Sequence, residues 1–138
     1  MRSRKGFALA GITAAVAFLA AAPRAAAEGK FDLAVATESR ENISQHDVFA
    51  PSTAKIYVVY KVTLPKASRV KASWITEKVD GYAENQKFSD SISNVQAGTF
   101  MGAFANGRPG AAWPLGAYRV DLYVDDKLEK SVRFKVSK

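Results

Sequence analysis

Lys55-Ile56-Tyr57-Val58-Val59-Tyr60-Lys61-Val62-Thr63 is the stretch on which the fold turns. It is built from β-branched and aromatic side chains, which suit a pleated and half-buried surface, and it shows no helical spacing of apolar positions. Read with period two, Ile56, Val58, Tyr60 and Val62 take one face, and Tyr57, Val59, Lys61 and Thr63 take the other. Pro65 ends the strand, because proline has no N–H to give to a sheet ladder.

The alternation continues outward on both sides. After the link Leu64–Ser68, Val70, Ala72 and Trp74 point inward while Lys71, Ser73 and Glu77 lie outside or at the end, which predicts Trp74 as a mid-strand core anchor. Asp80-Gly81 reads as a turn. Lys87 to Ser93 and Gly98 to Ala105 read as two shorter strands, the second with Phe100, Gly102 and Phe104 on one face.

The clearest hairpin is the last. Tyr118, Val120, Leu122 and Val124 alternate against Arg119, Asp121 and Tyr123, and Leu128, Val132, Phe134 and Val136 alternate against Glu129, Ser131, Arg133 and Lys135. Asp125-Asp126 lies between them as a tight turn whose side chains tolerate positive φ. Towards the N-terminus, Phe31, Leu33 and Val35 give a first strand, followed by a long loop from Thr37 to Thr53. Loops of that length are a place to look for function. About seven short strands with no helix for a crossover predict an all-β chain folded as two packed antiparallel sheets.

Lys55 to Tyr60, Trp74, the run Trp113-Pro114-Leu115-Gly116-Ala117-Tyr118-Arg119-Val120-Asp121-Leu122-Tyr123-Val124, and Phe134 with Val136 together resemble the immunoglobulin-like modules of exported bacterial proteins. The resemblance implies a β-sandwich of that type, with Trp74 on its third strand and a tyrosine corner at Tyr118. The cysteine pair of antibody domains is missing, since the chain has no cysteine. The resemblance transfers a fold and no activity, because sandwiches host unrelated functions.

The first residues read as an address rather than as structure. Arg2, Arg4 and Lys5 precede an Ala-rich apolar stretch from Phe7 to Ala22, and Ala25-Ala26-Ala27 supplies small residues for a signal peptidase. Residues 1–27 are therefore expected to be a cleavable signal peptide, with cleavage between Ala27 and Glu28 preferred over cleavage after Ala22. Residues 28–138 are expected to form one immunoglobulin-like β-sandwich domain. The apolar stretch is shorter and more Ala-rich than the ~20 strongly apolar residues of a membrane span, so no transmembrane segment is expected in the mature form. Ser3-Arg4-Lys5-Gly6-Phe7 resembles a twin-arginine signal with Lys for the second Arg, a departure that favours the general secretory route. Both routes lead to a periplasmic or secreted location.

The leader holds four of the twenty basic residues and none of the thirteen acidic ones, which leaves sixteen against thirteen and a mature charge of +3. Without a basic run, nucleic acid is not an expected partner. The absence of cysteine rules out disulfides, thiolate nucleophiles and thiolate metal sites. His46 has no placed serine and carboxylate for a triad. Asp125, Asp126 and Glu129 lack the spacing of a calcium loop, and pairs drawn from Asp80, Glu84 and Asp90 carry no specific signal for glycoside hydrolysis. No catalytic residue, metal site or cofactor is predicted, and the chain is read as a non-enzyme.

Two groups of residues are candidates for binding. The loop Asn106 to Pro114 combines glycine and proline with Arg108, Trp113 and Pro114, residue types enriched at interaction hot spots. Trp113 is either a plug over the end of the sandwich or an exposed anchor. The second group is an outward sheet face on which Arg119, Tyr123 and Arg133 gather with Lys71 and Lys135 around Asp121. The leading expectation is a binding or accessory module that contacts a protein or cell-envelope component through loops at one end. One alternative is a protease inhibitor, since Arg108-Pro109 before a tryptophan resembles the chagasin type, whose Asn-Pro-Thr-Thr-Gly loop does not occur here. Another is a structural subunit assembling by strand pairing, against which charged edges such as Lys66 and Arg69 argue.

Overall fold

Period-two patterning becomes eight strands: β1 (Lys30–Thr37), β2 (Val48–Phe49), β3 (Lys55–Leu64), β4 (Ser68–Val79), β5 (Gln86–Val95), β6 (Gly98–Gly107), β7 (Gly116–Val124) and β8 (Lys127–Val136). The structure, a computed structural model, describes residues 29–41 and 45–138, so the expected leader and its cleavage site lie outside the described residues. One sheet has the order β1-β3-β6 and the other β2-β8-β7-β4-β5. Neighbouring strands run antiparallel, except that β2 joins β8 in parallel. No helix among the described residues is long and apolar enough to cross a membrane.

The two sheets close over a core to which β3 gives Ile56, Val58, Tyr60 and Val62, as their alternation requires. The facing sheet contributes Val70, Ala72 and Trp74, and Trp74 is fully buried. Asp125 and Asp126 take φ of 47° and 71°, which is the backbone of a two-residue hairpin turn. The Arg69 N–H donates to Asp125 Oδ1 at 2.9 Å, and the Asp125 N–H donates to the Arg69 carbonyl at 2.9 Å. The carboxylate's bond to that N–H holds its pKa below the usual aspartate range.

Where the alternation is interrupted, side chains change face. The register shifts between Phe31 and Leu33, so Phe31 joins Val62 on the inner face while Leu33 and Val35 pair with Lys61 and Val59 outside. A shift between Trp74 and Ile75 leaves Phe88 of β5 unpaired. A third, between Leu122 and Tyr123, sets Leu128 opposite Tyr123 and leaves it half exposed, although its spacing had placed it with the core residues. Each is a β-bulge, which adds one residue to one strand and inverts the pattern beyond it. The loop from Thr37 to Thr53 holds a further short strand, β2, which brings Phe49 into the core.

Chain direction gathers the connections at two ends. Residues 65–67, 96–97 and 125–126 lie at one end, and residues 50–54, 80–85 and 108–115 lie at the other. Trp74 anchors the core between them, yet its indole N–H has no hydrogen-bond partner. Trp74→Ala is expected to cost about 3–5 kcal/mol in chemical denaturation, by cavity formation. Trp74→Phe should cost well under half of that, because it keeps an aromatic ring and removes an unsatisfied donor.

Candidate functional site

The loop from Arg108 to Leu115 is fastened to the segment that precedes β3. The Arg108 N–H donates to the Ala54 carbonyl at 2.8 Å, and the Trp113 N–H donates to the Pro51 carbonyl at 2.9 Å. Two side chains repeat the link: Arg108 Nη1 reaches the Ser52 carbonyl at 2.8 Å, and Trp113 Nε1 reaches the Thr53 carbonyl at 2.9 Å. Trp113 is thus the plug, only 1% exposed, with its ring edge-on to Tyr118 at 5.9 Å. Its one polar atom is satisfied, which is what burial of an indole requires.

Above this floor lies a small cleft of about 60 Å³ bordered by Tyr82, Phe88 and Pro109, with Thr76, Trp113 and Tyr118 beneath. Tyr82 is 44% exposed and Phe88 39%. Phe88 is there because of the bulge in β5, which turns its ring edge-on to Tyr118 at 6.2 Å. Arg108 and Pro109 are exposed beside it, and Pro114 is half-buried. Tyr82 and Phe88 are further candidate residues at this end, which the sequence pattern alone does not single out. The Asp80-Gly81 turn was the only signal for Tyr82, and no local signal marks the bulge at Phe88.

Arg119, Tyr123 and Arg133 are not part of that end cluster but lie on the outer face of the five-stranded sheet. Arg119 donates to Glu77 at 2.9 Å, to Asp121 at 3.0 Å and to Asn85 at 3.1 Å. Arg133 reaches the same Glu77 oxygen at 3.3 Å. The Lys71 ammonium stands 4.8 Å from the centre of the Tyr123 ring. Asp121 was expected to face solvent, but it is only 5% exposed, beneath Arg119 and with the Ser131 hydroxyl donating to it at 2.6 Å. A buried carboxylate survives only with such partners. The cations and anions of this face largely satisfy one another, so the face is a ladder of internal pairs. A groove of about 430 Å³ runs beside it, between Val48 and Arg133.

Comparison with known proteins bears on the architecture. No family model and no curated protein matches the chain. Among solved structures, an immunoglobulin-like protein from Pseudomonas aeruginosa superposes with a TM-score of 0.52 at 17% identity, over 80% of this chain and 98% of that one. The fold is immunoglobulin-like.

Two larger proteins carry a similar domain. The alkylpurine DNA glycosylase AlkC of Pseudomonas fluorescens, bound to DNA containing an abasic site analog, superposes with a TM-score of 0.56 at 16% identity over 81% of this chain. A β-glucosidase of Erythrobacter marinus gives 0.53 at 12% identity over 80% of it. The immunoglobulin-like chain spans only 31% of the glycosylase and 15% of the glucosidase.

The tyrosine corner that the resemblance implies is present in this immunoglobulin-like domain. The Tyr118 hydroxyl donates to the Pro114 carbonyl at 2.6 Å, four residues upstream near the start of β7. His46 lies away from the cleft: its N–H donates to Ala36 at 3.0 Å and its ring packs beside Phe49 at 5.8 Å. The Asp126 carboxylate is engaged by Arg69 at 2.6 Å, and among the described residues no three His, Cys, Asp or Glu side chains come together in a metal-binding group.

Burial pushes the Tyr118 hydroxyl up from 10.0 to about 12, and burial raises Tyr60 as well. A group whose acidity is weakened on folding stabilises the fold below its unfolded value, and that contribution is lost as pH rises through the folded value. The stability of the domain should therefore fall between pH 10 and about 12. Tyr118→Phe is expected to cost about 1 kcal/mol at neutral pH, and the alkaline fall, read by urea denaturation across that range, should become shallower. The slope should not vanish, because Tyr60 remains.

Proposed function

We propose that the chain is an exported, non-enzymatic binding module, periplasmic or secreted, which holds a protein or cell-envelope component through the loops at one end of the sandwich. The observation that carries this reading is the cleft rimmed by exposed Tyr82, Phe88 and Pro109 over a floor that Trp113 and Tyr118 fix by hydrogen bonds. Aromatic side chains on a stiff base lose little entropy on binding, and they are the residues that dominate interfaces. Arg108 sits beside them with its guanidinium already held on Ser52. The self-paired ladder around Arg119 favours the loop end over the outer sheet face as the contact, since breaking existing pairs costs desolvation without new gain.

The reading excludes nucleic acid, because the mature charge is small and no basic run exists. His46 has no catalytic role in this reading, and its ring packs beside Phe49.

The test is quantitative capture from envelope extracts by the exported protein. A partner retained by the wild type should be lost at least about tenfold with the double variant Tyr82→Ala/Phe88→Ala, and should be kept with Tyr123→Ala on the outer face. Equal capture by the double variant, with its β circular dichroism intact, overturns the reading. Duplex DNA is the control ligand and should not bind. Titration against papain-like and subtilisin-like proteases addresses the inhibitor alternative, for which micromolar inhibition would be required.

A further inference from the structure

Among the sheet edges, β6 is the one without protection. β1 carries Lys30 and Asp32 and a bulge, β5 carries Lys87 and Asp90 and a bulge, and β2 is only two residues long. β6, Gly-Thr-Phe-Met-Gly-Ala-Phe-Ala-Asn-Gly, has no charged residue and no proline, and it pairs with β3 in unbroken register from Gly98 to Gly107. Among the described residues, no strand lies on its other side. Long, straight, uncharged edges are what natural sheets avoid unless something pairs with them.

We propose that the free edge of β6 pairs with β6 of a second copy of this chain, antiparallel about a two-fold axis, to give one continuous six-stranded sheet. Side-chain parity restricts the register. Phe100, Gly102 and Phe104 share the inner face with Val62, Tyr60 and Val58, whereas Thr99, Met101, Ala103 and Ala105 share the outer face. Continuous faces require an axis through a residue and not between two residues. An axis at Gly102 sets Phe100 opposite Phe104 of the second copy, twice, and Met101 opposite its Ala103.

This occupant answers two observations at once. Phe100 is 39% exposed although it lies on the inner face, and Met101 is 56% exposed on the outer face. The second copy covers both with apolar groups and brings no like charges opposite each other on the paired strands, an arrangement that a two-fold on β1 or β5 would not give freely. Lys61 is one strand further in, and Arg40 borders the hollow over Val59 and Met101. At the axis, Gly102 has no room for a larger residue, because a Cβ there would meet the Tyr60 ring at 2.6 Å. The backbone is therefore bare where the two strands cross.

Light scattering after size exclusion of the exported protein should give twice the mass of one copy at about 100 μM and dissociation on dilution. Met101→Lys and Ala105→Lys, both on exposed outer positions, should each shift the midpoint of that dissociation at least about tenfold towards monomer while circular dichroism stays unchanged. Because the chain has no cysteine, register can be read directly. A mixture of Met101→Cys and Ala103→Cys proteins should cross-link on oxidation more than either alone. A monomer at every concentration, a dimer indifferent to both lysines, or cross-linking no greater in the mixture would overturn the proposal. Loss of the dimer without loss of partner capture separates this edge from the loop-end site.

Discussion

Tyr118 is the point on which the rest of the molecule depends. Its ring stacks on Phe134 at 5.1 Å with the planes parallel, Trp113 stands edge-on to it, and Phe88 approaches from the bulged edge strand. Phe134 passes the contact on to Phe49 at 5.4 Å and to Trp74 at 6.4 Å. The Tyr118 hydroxyl meanwhile fastens the loop that precedes its own strand. One side chain thus joins the five-stranded sheet, the core tryptophan and the loop that closes the end.

That arrangement takes the place of a covalent tie. A sandwich with no cysteine must hold its two sheets together by burial, and aromatic pairs in edge-on and stacked geometry add about 0.5–1.5 kcal/mol each beyond the area they cover. Trp113 extends the grip across the sheets, because its Nε1 bonds to Thr53 just before β3. The same bonds that plug the end also stiffen the loop above it. Stability and preorganisation at the cleft therefore come from one cluster, and weakening Tyr118 would loosen both.

The fold was legible where period two ran unbroken. Ile56 to Val62, Val70 to Trp74 and the turn at Asp125-Asp126 took the faces and the backbone that their residue types prescribe. Reading failed at the bulges, where one inserted residue sends the rest of a strand to the other face. Leu33, Phe88 and Leu128 were misplaced or passed over for that reason, since a bulge is fixed by the register of the partner strand and leaves no mark of its own. β2 escaped notice because two residues are too few to alternate. At the candidate site, residue type gave Arg108, Trp113 and Pro114 but could not say that Trp113 faces inward. That outcome depends on the Thr53 carbonyl, sixty residues away in the chain.

Charge is divided between the sheets in a way that single residues do not reveal. The five-stranded sheet carries Arg119, Arg133, Glu77 and Asp121 on its outer face, where opposite signs alternate across β4, β7 and β8 and hold one another. Asp90, held below the ordinary carboxylate range first by the Ser73 hydroxyl and then by Lys87, extends this pattern to the edge strand β5. Such a face is well hydrated and resists stacking against another sheet. The three-stranded sheet ends instead in a strand with no charge at all. Counting charges along the sequence suggests edges that are uniformly guarded, because Lys66 and Arg69 look like edge residues. Pairing shows that Arg69 is spent on Asp126 at the hairpin end. The five-stranded sheet is thus guarded at both edges and the three-stranded sheet at β1 alone, and the uncharged edge is a property of topology that becomes visible only once β6 is known to lie outermost.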